Sequence, residues 1–446
     1  MAAPNMKKFL LPTVLVAVTA LGASVLLWKS ETLSPSTDYL KLLPEVMSYV
    51  KKNYIEPVDD KVLMQNAING MLASLDPHSS YLPPDSFKEM KVEMSGSFGG
   101  LGIEISIRDN KLVIVAPIED TPAYRAGIKA GDHIFKIDGK ITRNMSINSA
   151  VKLMRGPQGT GVTLTILRNG TEKPLVFPLV RDIILVKSLR YKMLEPGYGY
   201  IRISQFQERT GEDFAEALHA LRKQHAAGLR GLVIDLRNNP GGLLDQAVKV
   251  VDRFIGEGFN NGLVVYTKGR DPASESTYSA NVGEKEPAYP IVVLINGGSA
   301  SASEILAGAL QDHRRAVIMG TPSFGKGSVQ SVIPLRNGGA LKLTTAKYYT
   351  PNGRSIQAKG IEPDVIVGQI DMNGAKRNDE KPFREQDLEN HIMVAPAEEP
   401  VLKPGFPSTT EPAAEGKDQQ IVQDYQLLRA LELLHGMEIM KTIQKH

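Results

Sequence analysis

Three short loops concentrate the residue types that bond-breaking chemistry needs. Asn296-Gly297-Gly298-Ser299-Ala300-Ser301-Ala302-Ser303-Glu304 follows the apolar run Ile291 to Ile295 and precedes Leu306-Ala307-Gly308-Ala309-Leu310. That pattern reads as a strand, a glycine turn and a helix N-terminus carrying hydroxyl groups. Such a junction suits a serine nucleophile, because unpaired backbone N–H groups and the positive end of the helix dipole hold an oxyanion beside a hydroxyl. The same residues also fit an S-x-x-E capping box, Ser301 to Glu304, and taken alone the cap is the simpler reading. Three serines at alternate positions leave open which one would attack.

A serine needs a base. No Ser-His-Asp order stands out, and Gly297-Gly298-Ser299-Ala300-Ser301 lacks the closing glycine of a nucleophile elbow, which leaves lysine. Gly320-Thr321-Pro322-Ser323-Phe324-Gly325-Lys326-Gly327 sets Lys326 in a glycine-rich turn after the apolar run Ala316 to Met319. The turn narrowly misses a phosphate-binding P-loop: Gly327 stands where Ser or Thr should hold magnesium, and the strand-like Ser328 to Ile333 follows instead of a helix. With an ordinary pKa, only about one lysine in a few thousand is neutral at pH 7, so a basic Lys326 must be desolvated or hydrogen-bonded. The third loop, Asp235-Leu236-Arg237-Asn238-Asn239-Pro240-Gly241-Gly242, lies between a strand and a helix, and its glycines let backbone amides approach a ligand. Alone it is a tight strand-to-helix turn; with the other two it reads as a site.

The elements that must position these loops alternate. From Ile183 to about Ile370, strands at Tyr200 to Ile203, Gly231 to Leu236 and Ile291 to Ile295 alternate with helices over Gly211 to His225, Leu243 to Ile255 and after Ser301, an α/β domain with a parallel core sheet (183–370). Upstream, residues 96–182 carry short β-rich runs (Leu101 to Ile107, Leu112 to Ala116, Ile134 to Ile137, Val162 to Leu167) broken by glycine turns. Residues 37–95 read as a helical prelude, with Leu40, Leu43, Val46, Met47 and Val50 at spacings of three and four. Residues 371–416 are rich in Pro, Glu, Lys and Asn and read as a linker. Residues 417–446 then form an amphipathic helix with a stripe of Ile421, Leu427, Leu428, Leu431, Leu434, Met437 and Met440. Detached by that linker, the stripe calls for docking or oligomerisation, the alternative being packing onto its own domain.

Composition narrows the chemistry. The 446 residues hold 52 basic and 49 acidic side chains, too near balance for a nucleic-acid partner. Cysteine is absent, which removes thiol nucleophiles, disulfides, cysteine-based metal sites and a lipobox. The eight histidines form no HExxH and no pair four residues apart, so neither a metal nor a cofactor is expected. Lys7 and Lys8 precede an uncharged stretch from Phe9 to Trp28, so residues 1–36 read as an export signal or a membrane anchor. About 30 Å of helix is long enough for the anchor, and Val18-Thr19-Ala20 is acceptable for cleavage.

Taken together, Leu75-Asp76-Pro77-His78-Ser79-Ser80-Tyr81, Gly100-Leu101-Gly102-Ile103, Asp235 to Gly242, Asn296 to Glu304 and Gly325-Lys326-Gly327 through Gln330 form a recognisable signature. From about Thr37 to Ile370 the chain resembles the C-terminal processing peptidases, also called tail-specific proteases. Lys326 follows Ser301 by 25 residues and Gln330 follows Lys326 by four, in agreement with that family's pattern.

The resemblance implies a multidomain α/β protein: a crotonase/Clp-protease-like core, an inserted β-rich PDZ domain, and helical N- and C-terminal regions. It makes Ser301 the nucleophile, Lys326 the base, Gln330 the residue orienting Lys326, and the amides of Gly242 and Ala302 the oxyanion hole. In the PDZ domain it makes Gly100-Leu101-Gly102-Ile103 a carboxylate-binding loop, with the peptide added as a strand along Ile103 to Ile107 and Leu101 and Ile103 lining the pocket. Arg155 falls where family members couple tail binding to the dyad. The implied partners are proteins with apolar C-termini, a lipoprotein adaptor, a second copy joined through terminal helices, and a membrane at the N-terminus, with the enzyme in a bacterial periplasm or on the outer face of the inner membrane. A catalytically inert PDZ scaffold and a nonproteolytic enzyme on the same core are the competing classes.

Overall fold

The computed structural model describes residues 37–272, 275–283, 285–368, 383–393 and 424–443. The chain divides into two compact units, residues 1–71 and 72–446. In the first lie α1 (Thr37–Asn53) and most of α2 (Asp60–Ala73). Asp59 starts α2 as sequence chemistry predicts, its carboxylate accepting the amides of Lys61 (2.7 Å) and Val62 (3.1 Å). The apolar residues expected to pack along α1, Leu40, Leu43 and Val46, are exposed. Phe9 to Trp28 lies outside the described residues, among which no helix is long and apolar enough to cross a membrane.

The second unit opens with β1 (Ser80–Leu82) and α3 (Pro84–Ser95). The strand corrects the reading of residues 37–95 as helical throughout; three residues are too short to carry a period, and β1 forms because a partner strand at Ala340 to Lys342 pairs with it. Next comes the β-rich module. It is entered through β2 (Ser97–Gly100) and contains β3 (Ile103–Arg108), β4 (Lys111–Pro117), α4 (Pro122–Arg125), β5 (His133–Ile137), β6 (Lys140–Ile141), α5 (Ile147–Met154), β7 (Gly161–Leu167) and β8 (Leu175–Val180). It is left through β9 (Asp182–Leu185), which pairs antiparallel with β2, so the module stands on a two-stranded stalk. Its sheet runs β3-β4-β5-β7-β8 with β6 beside β5, around a core in which Ile114, Ile134, Ile137, Leu164 and Ile166 are buried.

The core domain continues with β10 (Leu189–Glu195), β11 (Tyr198–Ile203), α6 (Thr210–Gln224), β12 (Gly231–Asp235), α7 (Leu244–Asp252), β13 (Leu263–Gly269), β14 (Ser276–Ser279), β15 (Ile291–Ile295) and α8 (Ala302–Asp312). It ends with β16 (Val317–Gly320), β17 (Ser328–Pro334), β18 (Ala340–Tyr349), β19 (Val365–Ile366) and α9 (Tyr425–Ile443). The main sheet runs β10-β11-β12-β15-β16-β19, parallel from β11 onward. A second sheet, β1-β18-β13-β14 with β17 also on β18, is antiparallel.

Every residue of β12 and β15 is buried, because helices cover both faces of the parallel sheet. Phe214 and Leu218 of α6, Val250 of α7 and Leu306 of α8 cover one face. Leu427, Leu431 and Leu434 of α9 cover the other, against Val233, Val292 and Leu294. The terminal stripe is thus covered by its own domain, each leucine contributing about 2 kcal/mol of burial, while Met440 stays exposed and Ile421 lies outside the described residues. The expected linker also holds structure: in residues 383–393, Glu385 is fully buried, its amide donating to Phe324 O at 3.1 Å. Composition hid this anchor, because a single buried carboxylate leaves no periodic trace.

Candidate active site

The three loops meet at the C-terminal ends of the parallel strands. The turn after β15 is bound to the loop after β12 through its serines: Ser299 donates its hydroxyl to Leu236 O (2.8 Å) and Ser303 donates to Asn239 O (3.0 Å). Both are fully buried. Ser301 lies between them, retains 8% exposure, and donates its hydroxyl to no carbonyl among the described residues. That asymmetry separates the three serines.

Ser301 also sits at φ 54°, ψ −113°, the first residue before α8. A β-carbon-bearing residue held there stores local strain, of order 1–3 kcal/mol, the kind that accompanies sharp nucleophile turns. The turn therefore places Ser301 in the strained backbone conformation of an elbow's serine without the closing glycine, a property invisible in residue types alone.

The loop after β12 lies directly on this turn. A side chain at Gly241 would come within 2.8–3.0 Å of Ala300 O, Ser301 Cβ and Ala302 N. Gly242 takes φ +134°, and a β-carbon there would fall 2.1 Å from Phe206 O, so only glycine fits. The neighbours of Gly242 make the bonds to the chain at Phe206: Phe206 donates to Gly241 O and Leu243 donates to Phe206 O, both at 2.8 Å. Neither Gly242 nor Ala302 spends its N–H on a hydrogen bond among the described residues. These are the donors an oxyanion requires.

Glu304 organises the rest. Its buried carboxylate accepts four hydrogen bonds: Ser323 Oγ (2.6 Å) and Gly325 N (2.7 Å) on Oε1, Ser301 N (2.7 Å) and Lys326 N (2.9 Å) on Oε2. One carboxylate oxygen thus ties the backbone of Ser301 to that of Lys326. Burial pushes the Glu304 pKa up to about 7, against the four donors that favour its anion. Sequence reading assigned Glu304 only to a cap. The second half of its role was hidden because its partners lie about twenty residues downstream.

Lys326 is half-buried on its loop. Burial, then the nearby charge of Lys342, lowers its pKa to about 8, while Glu385, Glu304 and Asp76 oppose the shift. At pH 7 roughly one Lys326 in ten is then neutral, against one in a few thousand for a free lysine. The Gln330 amide N–H donates to Ser328 Oγ (2.9 Å) and Thr344 Oγ1 (3.4 Å), and among the described residues no hydrogen bond joins Gln330 to Lys326. Thr344 in turn donates to Asp76 (3.0 Å), whose carboxylate also accepts the amides of His78 (2.8 Å) and Ser79 (2.9 Å). The Leu75 to Tyr81 signature thereby packs around the lysine loop.

In the module, Gly102 takes φ +74°, and a β-carbon there would lie 2.3 Å from the Thr121 side chain. Ala123 N bonds Leu101 O (3.0 Å) and Ile118 N bonds Gly102 O (2.8 Å), leaving the amides of Leu101 and Gly102 without hydrogen bonds among the described residues. Among the described residues β3 pairs only with β4, which leaves its other edge open beside α5. Leu101 is only 2% exposed and packs in the module's core; Ile103 is half-buried. Gly100 ends β2, at the junction of stalk and loop. Arg155 stands over the Phe98 ring of β2, 4.3 Å from its centroid, and so touches the stalk. Among the described residues no group of three histidine or carboxylate side chains is placed to hold a metal ion.

Comparison with known proteins adds three matches along the chain: residues 197–367 to peptidase family S41, residues 113–168 to a PDZ domain, and residues 22–86 to the N-terminal domain of the activating protease CtpB. A carboxy-terminal-processing protease of Bartonella bacilliformis is 48% identical over 393 residues, 88% of each chain. The carboxy-terminal processing protease CtpB of Bacillus subtilis is 38% identical over 330 residues, 73% of this chain and 67% of its own. Among solved structures, a photosystem II D1 C-terminal processing protease is 32% identical with a TM-score of 0.42, covering 73% of this chain and 86% of its own.

Proposed function

Since the chain belongs to peptidase family S41, as a carboxy-terminal processing serine protease with a PDZ domain, we propose that it cleaves proteins with a Ser301–Lys326 dyad. Neutral Lys326 accepts the Ser301 hydroxyl proton as Oγ attacks the scissile carbonyl. The N–H groups of Gly242 and Ala302 hold the resulting oxyanion. Collapse expels the amine, which takes the proton back from Lys326, and leaves an acyl-serine. Water then attacks the ester, giving a proton to Lys326, which passes it to Ser301 Oγ as the acid leaves, restoring the hydroxyl and the neutral amine. The observation that carries this reading is the single Glu304 oxygen bonded to the backbone of both Ser301 and Lys326, next to two unspent N–H groups.

Substrates are proteins with apolar C-terminal tails. The tail lies as an added strand on the open edge of β3, its carboxylate toward the amides of Leu101 and Gly102, with Ile103 offering apolar contact. The alternating strands and helices of the main sheet support a crotonase/Clp-protease-like core. The basic, then apolar N-terminal stretch supports export to a bacterial envelope, by a cleaved signal or a membrane anchor, where a lipoprotein adaptor and a second copy of the chain are the partners to seek.

The test is a gel assay of a loosely folded substrate with the full chain, Ser301→Ala and Lys326→Ala. Cleavage lost in both variants supports the dyad; cleavage equal to that of the unaltered chain overturns it.

A further inference from the structure

Helix α9 does more at its first turn than its apolar stripe requires. Leu427, Leu431 and Leu434 pack the helix against the sheet. Yet just before them Asp424 makes a bidentate ion pair with Arg237, Oδ1 to Nη1 at 2.8 Å and Oδ2 to Nη2 at 2.7 Å, and Gln426 Oε1 accepts from the same Nη1 at 3.0 Å. Arg237 is itself buried and stands five residues before Gly242, at the root of the loop that supplies an unspent N–H.

That root is heavily tied. Arg237 donates to the fully buried Asp235 through its backbone N (3.0 Å), Nε (2.9 Å) and Nη2 (2.7 Å). Asp235 also accepts from Tyr200 (2.8 Å) and Arg202 (3.0 Å), and Arg202 holds Arg237 O (3.1 Å). Two arginines thus share Asp235, and Asp424 supplies the second carboxylate that Arg237 needs once it leaves water. Gln426 reaches the other way as well: its amide donates to Val367 O at 2.7 Å, and Val367 N bonds Gly320 O at 2.9 Å, where the Lys326 loop begins. The start of α9 is therefore bonded directly to the root of the Gly242 loop and, through Val367, to the root of the Lys326 loop.

We propose that Asp424 and Gln426 are positioning residues, a latch by which α9 sets the Gly242 loop and the Lys326 loop in register. This rests on the reading of Gly242 as an oxyanion donor. The latch acts on the tetrahedral state rather than on substrate docking, because its bonds lead to the loops that carry the Gly242 N–H and the Lys326 amine, the groups the proposed reaction uses at that state.

The full chain is assayed with an internally quenched peptide ending in an apolar tail, and with a peptide boronic acid whose serine adduct fills the oxyanion position. Asp424→Asn is expected to lower kcat about tenfold with KM within twofold, and to weaken the boronic acid about tenfold. The control is Glu438→Gln at the far end of α9, where Glu438 pairs with Arg230 at 2.7 and 2.6 Å. It is expected to lower Tm while leaving kcat within twofold. If Asp424→Asn keeps kcat, or if both variants lose kcat in proportion to Tm, the latch is overturned. Should Asp424→Asn fail to fold, Gln426→Leu gives the decision: a fall in kcat at unchanged KM supports the latch, and an unchanged kcat ends it. Ser301→Ala runs alongside. Inertness of Ser301→Ala with full activity of Asp424→Asn removes the latch alone; an active Ser301→Ala removes the dyad reading beneath it.

Discussion

In the core, the loops of the proposed dyad are held by buried charge: Glu304 bonded to the backbone of Ser301 and Lys326, and Asp235 with Arg237 at the root of the Gly242 loop. In the PDZ module, the loop proposed to take a C-terminal carboxylate is held by apolar packing of Leu101 and by Thr121, whose hydroxyl donates to Ile118 O at 2.6 Å. Both loops present unspent amides. The difference lies in the cost of disturbance. A buried carboxylate with four donors fails steeply when one atom changes, whereas a glycine loop on an apolar core gives way gradually.

That contrast orders the expected effects of substitution. Gly242→Ala sets a β-carbon against Phe206 O and should lower kcat by about 10²–10³ with substrate binding kept; steady-state kinetics with the tail peptide would check it, and a change confined to KM would contradict the assignment. Glu304→Gln turns an acceptor of four bonds into a group whose NH2 faces N–H donors, and should cost about 3 kcal/mol of stability together with nearly all activity; urea unfolding reads the first and peptide cleavage the second.

The pH profile tests the lysine. With Lys326 at about 8, kcat/KM should rise about tenfold per pH unit below that value and level off above it, since the neutral amine is the active form. Stability should move the same way: between about 8 and the ordinary lysine pKa of 10.5 the unfolded chain binds the extra proton, so raising pH through that window favours the folded state. Lys342→Gln removes a neighbouring positive charge and should shift the kinetic limb upward in pH; a limb that stays in place would remove Lys342 as a cause.

In the module the effects should be smaller. Gly102→Ala, forced to φ +74° against Thr121, should weaken tail-peptide binding about tenfold, measured by calorimetry, and leave the maximal rate of an untailed substrate unchanged. Lys152→Ala removes an exposed pair with Asp85 (2.9 Å) between module and core, and should alter stability by less than about 1 kcal/mol in thermal unfolding. A larger loss there would mean that the module is fixed to the core more firmly than its stalk suggests.

Much of this was legible in the sequence, for reasons that differ by region. Ile291 to Ile295 and Gly231 to Asp235 announce a parallel sheet because both faces are covered, which demands continuous apolar runs. The site loops show through glycine and hydroxyl spacing. The antiparallel sheet of β13, β14 and β18 was missed, since its half-exposed strands carry mixed residues and their partners are remote. Glu304, Asp235 and Arg237 showed their positions but not their work, because a charge's burial depends on everything folded over it. The fate of the α9 stripe turned on which apolar surface lay nearest, and that was the chain's own sheet.

The stalk has a consequence for how such a protein is assembled over generations. Because β2 and β9 pair from Ser97 with Leu185 to Gly100 with Asp182, the points where the module departs and returns are neighbours across one ladder rung, about 5 Å apart. A two-residue hairpin turn spans that gap. The recognition module is therefore a cassette, removable or exchangeable at a seam that leaves the remaining strand pair intact, so the choice of substrate and the act of cutting can be inherited separately.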